Sequence, residues 1–370
     1  MILVLSACRN DTQKKLDNIL SQGDTLSINY ATGFEIVEYD GFKLLTVKNA
    51  WPKAEKEFTY LLVEKGTEIP KGLKYDEKIT VPVGEIVVTS TTHIPSLETL
   101  GGENTLKGFP SLEYISSQKT RALINAGQIK ELGSNQDINT ELLLEIHPDV
   151  VVGFAVNGNN KAFQTIQKSG IPVMYNGDWT EKNPLGKAEW IKFFGVLYNK
   201  LPEANNAFQK IEEAYLQAKE LAKSTTDKPL VLSGAMYRDR WYLPYGDSWQ
   251  GFFIEDAGGK YIYEKAHGNG SIALSFENVF EDGKEAEIWI APGNFTTYAQ
   301  LLKSSEHYGK FKAFQDKKIY NYAGVTGETG GVLYYELAPN RPDLVLKDLV
   351  KIFHPELLPN YELTFFKPLD

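Results

Sequence analysis

The sequence predicts an α/β protein built as two Rossmann-like lobes joined by one long helix, with extra β-strands at its N-terminal end. Three observations carry this. Short continuous apolar runs alternate with helical segments from about residue 84 to 201, and the same alternation resumes after residue 224. A single amphipathic stretch, Pro202 to Lys223, separates the two series. Brief apolar runs bounded by helices belong to parallel sheets covered on both faces, with loops gathered at the strand C-termini.

Along the chain, residues 26–63 alternate as strands do. Phe34, Ile36-Val37 and Tyr39 face Phe42 and Leu44-Leu45 across Asp40-Gly41, a two-residue hairpin signal. Phe58-Thr59-Tyr60-Leu61-Leu62-Val63 pairs with that hairpin. The first α/β series offers strands at 85–89, 149–154 and 171–175, and helices at 140–147 and 161–169, the latter closed by Gly170. In the linking helix, Ala204, Phe208, Ile211, Tyr215, Ala218 and Ala222 recur at spacings of three and four, which keeps them on one face. Pro202 suits its first turn, and such a helix is roughly 33 Å long. The second series has strands at 230–234, 287–290 and 318–322, then a last helix from Pro342 to Phe353.

The chain has 370 residues, 39 Lys+Arg against 48 Asp+Glu, a net charge of −9 and one Cys. That length supports two lobes with a sizeable core. The acidic balance argues against nucleic acid as a partner. A single Cys excludes an intrachain disulfide and any multi-Cys zinc or iron–sulfur site. No apolar run reaches the ~18 residues of a spanning helix. The Cys falls at position 8, where Leu5-Ser6-Ala7-Cys8 closes an apolar start and Arg9-Asn10-Asp11 follows. This resembles the lipobox of bacterial lipoproteins, which implies lipid attachment at Cys8 and a start lying upstream of Met1. The expected organisation is a lipobox at 1–8, a polar tether at 9–25, an N-terminal lobe at 26–201, the linking helix at 202–223 and a C-terminal lobe at 224–370.

The run from about 84 to 357 resembles the class III, helical-backbone substrate-binding proteins of ABC importers, which carry ferric siderophores, haem, cobalamin, zinc or manganese. The matching stretches are Thr91-Thr92-His93-Ile94-Pro95-Ser96-Leu97-Glu98, Ile138-Asn139-Thr140-Glu141-Leu142 with His147-Pro148-Asp149-Val150-Val151, Ser169-Gly170-Ile171-Pro172-Val173, and Gln250 to Gly259. Their order around a single long helix carries the likeness. It implies a ligand cleft between the lobes, a membrane permease with its ATPase as partner, and a lipid-anchored monomer on the periplasmic or cell-envelope face of a bacterial membrane. It also implies one glutamate per lobe docking into the permease. Glu255 matches that position, and Glu98 lies one helical turn beyond it, where Pro95 stands.

Ligand-facing residues are expected just after the strand C-termini. In the first lobe these are Thr92, His93, Phe154, Asn157 and Trp179; in the second, Tyr237, Arg238, Arg240, Trp241, Phe295 and Tyr322. Rings beside guanidinium groups suit a large, flat or anionic ligand. Other readings stay open: Trp241-Tyr242-Leu243 also reads as a strand with Trp241 inward, Arg238 and Arg240 as a surface cluster with Asp239, and His93 as a helix cap. Trp190 is expected in the core. The remaining histidines, His147, His267, His307 and His354, are scattered, so a directly bound metal is not expected and a chelate or corrinoid fits better. An iron chelate, ferric siderophore or haem, is the leading expectation and cobalamin the alternative. No resident cofactor is expected. No G-x-S-x-G, P-loop, H-E-x-x-H or C-x-x-C motif points to an enzyme. A scavenging lipoprotein without a permease is the third reading.

Overall fold

The computed structural model describes residues 13–370. They divide into two compact units. The first holds residues up to Leu112, Lys119–Glu181 and Glu189–Asn206; the second holds Glu113–Gln118, Lys182–Ala188 and Ala207–Asp370. The linking helix, Leu201–Ala222, begins in the first unit and ends in the second. Its predicted stripe is inward as expected, with Ala204, Phe208, Tyr215, Ala218 and Ala222 all buried and Ile211 half-buried.

The first unit contains a five-stranded parallel sheet in the order Val173–Tyr175, Val150–Gly153, Ile86–Val88, Leu106–Phe109, Lys130–Glu131. Its three apolar strands are buried residue by residue, which explains why they read as unbroken apolar runs. Strand order reverses at Ile86–Val88, whose neighbours are Val150–Gly153 on one side and Leu106–Phe109 on the other. That reversal is a topological switch point, where chains leaving adjacent strand ends diverge and open a crevice.

The N-terminal strands form a sheet of their own. Asp24–Thr25, Phe34–Tyr39, Phe42–Val47 and Phe58–Glu64 run antiparallel, and Glu77–Val81 adds on parallel to Phe58–Glu64. The hairpin turns at Asp40-Gly41 with Tyr39 opposite Phe42, and Gly41 takes φ 84°, a conformation that a side chain disfavours. Tyr175 joins the parallel sheet to this one: its N–H donates to Tyr60 Oη at 2.8 Å and its ring lies 4.7 Å from that of Phe58. Phe42, Leu61 and Val63 on the sheet pack with Ile19, Tyr39, Leu44, Ile69 and Leu73.

That packing corrects the expected tether. Residues 13–20 are helical, Leu16 is only 6% exposed, and Asp24–Thr25 pairs with Glu38 and Val37. A polar composition hid a short helix whose few apolar residues cover the sheet. The proposed lipid site, Cys8, lies outside the described residues.

Residues 27–33 are fastened by two buried carboxylates. Glu189 accepts from the N–H groups of Asn29, Tyr30 and Ala31 and pairs with Lys192 Nζ at 2.8 Å. Glu181 accepts from the Thr32 and Gly33 N–H groups and from Trp190 Nε1. Trp190 is buried, as expected.

In the second unit the sheet order is Lys260–Tyr261, Leu230–Ser233, Ile288–Ile290, Ile319–Asn321, Lys367–Pro368, parallel except for the last strand. Leu230–Ser233 is again a reversal point. Beside the sheet lies a three-stranded antiparallel one, Ala235–Tyr237, Arg240–Pro244 and Ser271–Leu274. Asp348 gathers the N–H groups of Thr364, Phe365 and Phe366 and the Tyr361 hydroxyl, fixing the tail that supplies the last strand. Among the described residues no helix is long and apolar enough to cross a membrane.

Candidate functional site

At the first unit's switch point, the loops leaving Ile86–Val88 and Val150–Gly153 are tied together by Thr89. Its hydroxyl accepts from the Phe154 N–H at 3.2 Å, and its carbonyl accepts from Asn135 Nδ2 at 3.0 Å. Beside them Thr92 Oγ1 donates to Asp178 at 2.7 Å, and the Asp178 N–H donates to Asn176 Oδ1 at 2.9 Å. A cavity of about 340 Å³ opens here, lined by Asn135, Gln136, Phe154, Asn157, Asn159, Asn160 and Lys161 among others. Side-chain amides and one ammonium stand in its wall among apolar groups, the Phe154 ring with Ala155, Val156 and Ala162, which make up the larger part of the surface. Amides both donate and accept, so such a wall suits a ligand rich in carbonyl, hydroxyl or carboxylate oxygen.

Of the first-lobe residues expected here, Phe154 and Asn157 line the cavity, Thr92 belongs to the hydrogen-bonded shelf, and Trp179 is 38% exposed. His93 is the exception. It is 0% exposed, its ring lies 5.4 Å from that of Phe194, and both nitrogens are buried without a hydrogen-bond partner. Burial pulls its pKa down to about 4, against the opposing pull of Asp178. In this structure His93 is a neutral core residue that presents no surface to a ligand. As the last residue of the helical turn Thr91–His93, just before helix Ile94–Thr99, it carries its ring inward; loop placement alone does not reveal that.

In the second unit the chain leaving Leu230–Ser233 enters a hairpin. Tyr237 sits opposite Arg240, and Arg238, at φ 59°, makes the turn with Asp239. Side chains alternate across a strand, so Tyr237, Arg240 and Tyr242 share the outward face while Trp241 and Leu243 face inward. Tyr237 is 64% exposed and its ring carries the Arg238 guanidinium at 5.3 Å; the Tyr242 ring lies 6.3 Å away. Trp241 is fully buried instead, stacked on Trp289 at 5.4 Å and donating its Nε1–H to the Ser233 carbonyl. Its expected ligand contact gives way to the strand reading, because the hairpin register turns it to the core.

Phe295 is half-buried beside Tyr308 at 6.2 Å. Asn321 Nδ2 donates to the Gly293 and Phe295 carbonyls and so fixes the loop carrying Phe295. Tyr322 is nearly buried, stacked on Tyr334 at 4.1 Å, with the exposed Tyr335 edge-on to it. Burial, with Tyr335 and Tyr334 beside it, holds the Tyr322 hydroxyl well above the ordinary tyrosine range, so it stays protonated. Of the two expected docking carboxylates, Glu98 is half-buried and accepts from Thr120 Oγ1 at 2.5 Å. Glu255 is exposed at the end of helix Trp249–Asp256, while its neighbour Asp256 is held by Tyr215 and Lys219.

Sequence reasoning missed Asn135 and Gln136 at the first site, and it reached the post-strand segments that hold Asp178 and Tyr242 without singling out either residue. Asn135 carried a turn signal in Gly133-Ser134-Asn135-Gln136, but only the fold brings that turn to Thr89. Tyr242 was legible by alternation once Trp241 is placed inward.

Over residues 86–325 the chain matches the sequence profile of the family described as periplasmic binding protein. An uncharacterized lipoprotein of Methanocaldococcus jannaschii is 24% identical over 98% of this chain and 92% of its own length. A possible iron-binding (periplasmic solute-binding) protein from Staphylococcus epidermidis superposes with a TM-score of 0.59 at 16% identity, covering 74% of this chain and 99% of that one. A periplasmic heme-binding protein from Roseiflexus superposes with a TM-score of 0.55 at 18% identity, again covering 74% and 99%. At these identities the two structures speak for the fold. The matched stretch covers more than half of the chain, and with the paired α/β units it settles the assignment: the chain belongs to the periplasmic binding protein family, as a substrate-binding protein of the ABC-importer type and not an enzyme.

Proposed function

We propose that this protein captures an iron chelate, a ferric siderophore or haem, and delivers it to a membrane permease. The observation that carries this reading is the outward hairpin face of Tyr237, Arg240 and Tyr242, with Arg238 at its tip. Rings supply area to a flat or bulky chelate at low entropic cost, and guanidinium groups grip carboxylate or catecholate oxygen in bidentate fashion. The cavity of the first unit supplies apolar surface, Phe154 included, and amide contacts, Asn157 included, in this reading, and Thr92, Trp179, Phe295 and Tyr322 complete the set. The structurally similar proteins described as possibly iron-binding and as heme-binding agree with it.

Glu255, exposed and without the hydrogen bond that engages Glu98, is the stronger docking carboxylate; Glu98 docks once Thr120 yields its hydrogen bond. Lipidation of Cys8 holds the protein, as a monomer, at the cell-envelope face of a membrane, in keeping with the lipoprotein among its relatives. The test is reconstitution with the permease and ATPase in proteoliposomes. Chelate-loaded protein is expected to stimulate ATP hydrolysis, and Glu255→Arg to bind the chelate equally yet give no stimulation. Stimulation by Glu255→Arg at the wild-type level would remove Glu255 from the docking role, and no stimulation by loaded wild-type protein would contradict delivery.

A further inference from the structure

The N-terminal sheet precedes the family match at residue 86, yet one of its loops reaches the first unit's candidate site. Residues 48–57 connect Phe42–Val47 to Phe58–Glu64. Within this loop the Ala54 N–H donates to the Trp51 carbonyl at 3.1 Å, closing a turn with Pro52 and Lys53 at its centre. Lys53 takes φ 62°, a left-handed conformation costly for a residue with a side chain. Strain of this kind persists where the surroundings fix it.

The residues on the N-terminal side of Lys53, Asn49 and Trp51, meet two loops of the candidate site. A Cβ added at Gly158 would lie 3.2 Å from Trp51 Cζ2, so the indole backs the 154–160 loop at the glycine between Asn157 and Asn159. A Cβ at Gly177 would collide with the Asn49 carbonyl oxygen, which also accepts from Thr180 Oγ1 at 3.3 Å. The Asn49-Ala50 segment that leads into the turn therefore abuts the 176–180 loop that carries Asp178 and Trp179. The indole is itself held edge-on to Tyr175, at 5.4 Å, and by Phe58 at 5.6 Å. Trp51 is not in the cavity wall; it stands behind it.

We propose that Trp51 is a positioning residue for ligand recognition: through Gly158 it sets the placement of Asn157 and Asn159, and by anchoring the Asn49-Ala50 backbone next to it, it sets that of Asp178 and Trp179. This rests on the reading that those loops meet the ligand. The N-terminal sheet is then part of the binding apparatus, and its connecting loop tunes which chelate the first unit accepts.

Two readouts separate this from the ligand assignment. In ligand-free protein, hydrogen exchange of segments 154–160 and 176–180 is expected to rise about fivefold or more in Trp51→Ala, with slow-exchanging core strands unchanged and Trp51→Phe close to wild type. Gly158→Val, which collides with the indole, is expected to disturb the same loops. The double variant Trp51→Ala/Gly158→Val is expected to exchange more slowly than either single one, since the valine fills the space the indole leaves. With haemin and a ferric siderophore as probes, affinity is expected to follow loop exchange across the set. Unchanged exchange in Trp51→Ala, or two single effects that simply add, overturns the proposal whatever the ligand. If exchange responds as expected but no probe binds wild type, the chelate reading fails and the positioning role stands.

Discussion

Arg238 and Arg240 differ in their settings although both flank one turn. Arg238 lies over the Tyr237 ring, while Arg240 stands on the strand face opposite Tyr237. A charge-assisted hydrogen bond to chelate oxygen is worth about 1.5–3 kcal/mol, so replacing either arginine by alanine is expected to weaken chelate binding about ten- to hundredfold, read by isothermal titration. Equal affinity in both variants would place the ligand elsewhere. His93 gives a prediction of another kind. Its folded pKa is depressed from the ordinary 6.5 to about 4, so it contributes stability that is present above pH 6.5 and lost as pH falls toward 4. A difference of that size is worth about 3 kcal/mol. His93→Leu is expected to flatten the decline of the urea midpoint across this window and to leave chelate affinity unchanged. A variant with the same acid-side decline would show that other groups govern it. His93 and Trp241 both follow strand-like segments in the sequence, where ligand residues gather. Half a turn of helix and one step of register decide that each faces the core, and neither is visible from spacing alone.

At the scale of elements, one device recurs. A buried carboxylate collects successive backbone N–H groups and fastens a segment without regular structure: Glu189 and Glu181 hold residues 27–33, and Asp348 holds residues 364–366. Breaking a buried pair of this kind costs about 3–5 kcal/mol, because the donors and the partner ammonium lose their acceptor inside the protein. Glu189→Ala is therefore expected to lower the urea midpoint by about 1 M or more, given a slope of about 3 kcal/mol per M. A change within error would show that water replaces the carboxylate. These latches are not readable from sequence, since Glu189 and Asp348 look like ordinary helix carboxylates. The Asp40-Gly41 hairpin, the buried strands and the linking helix were readable, because turn chemistry and apolar period specify them locally. Glu77–Val81 was not. It reads Glu-Lys-Ile-Thr-Val, half polar, and only pairing with Phe58–Glu64 makes it a strand.

For the whole molecule, the main sheet of each unit turns at an interior strand, and each turning point carries a distinct chemistry: amides and a threonine–aspartate shelf in the first unit, tyrosines and arginines in the second. The family and its paired lobes were legible from short motifs in order around one helix. The composition of the first unit's shelf was not, since Asn135, Asp178 and Trp51 come from three separate segments that only the fold assembles. The central claim is capture of an iron chelate, and tryptophan-fluorescence titration tests it most directly. The probes are haemin, ferric catecholate and hydroxamate siderophores, and cobalamin. The account predicts saturable one-to-one binding of haemin or a ferric siderophore with a Kd below about 1 μM. No response to any iron chelate, or tight binding of cobalamin alone, would contradict it.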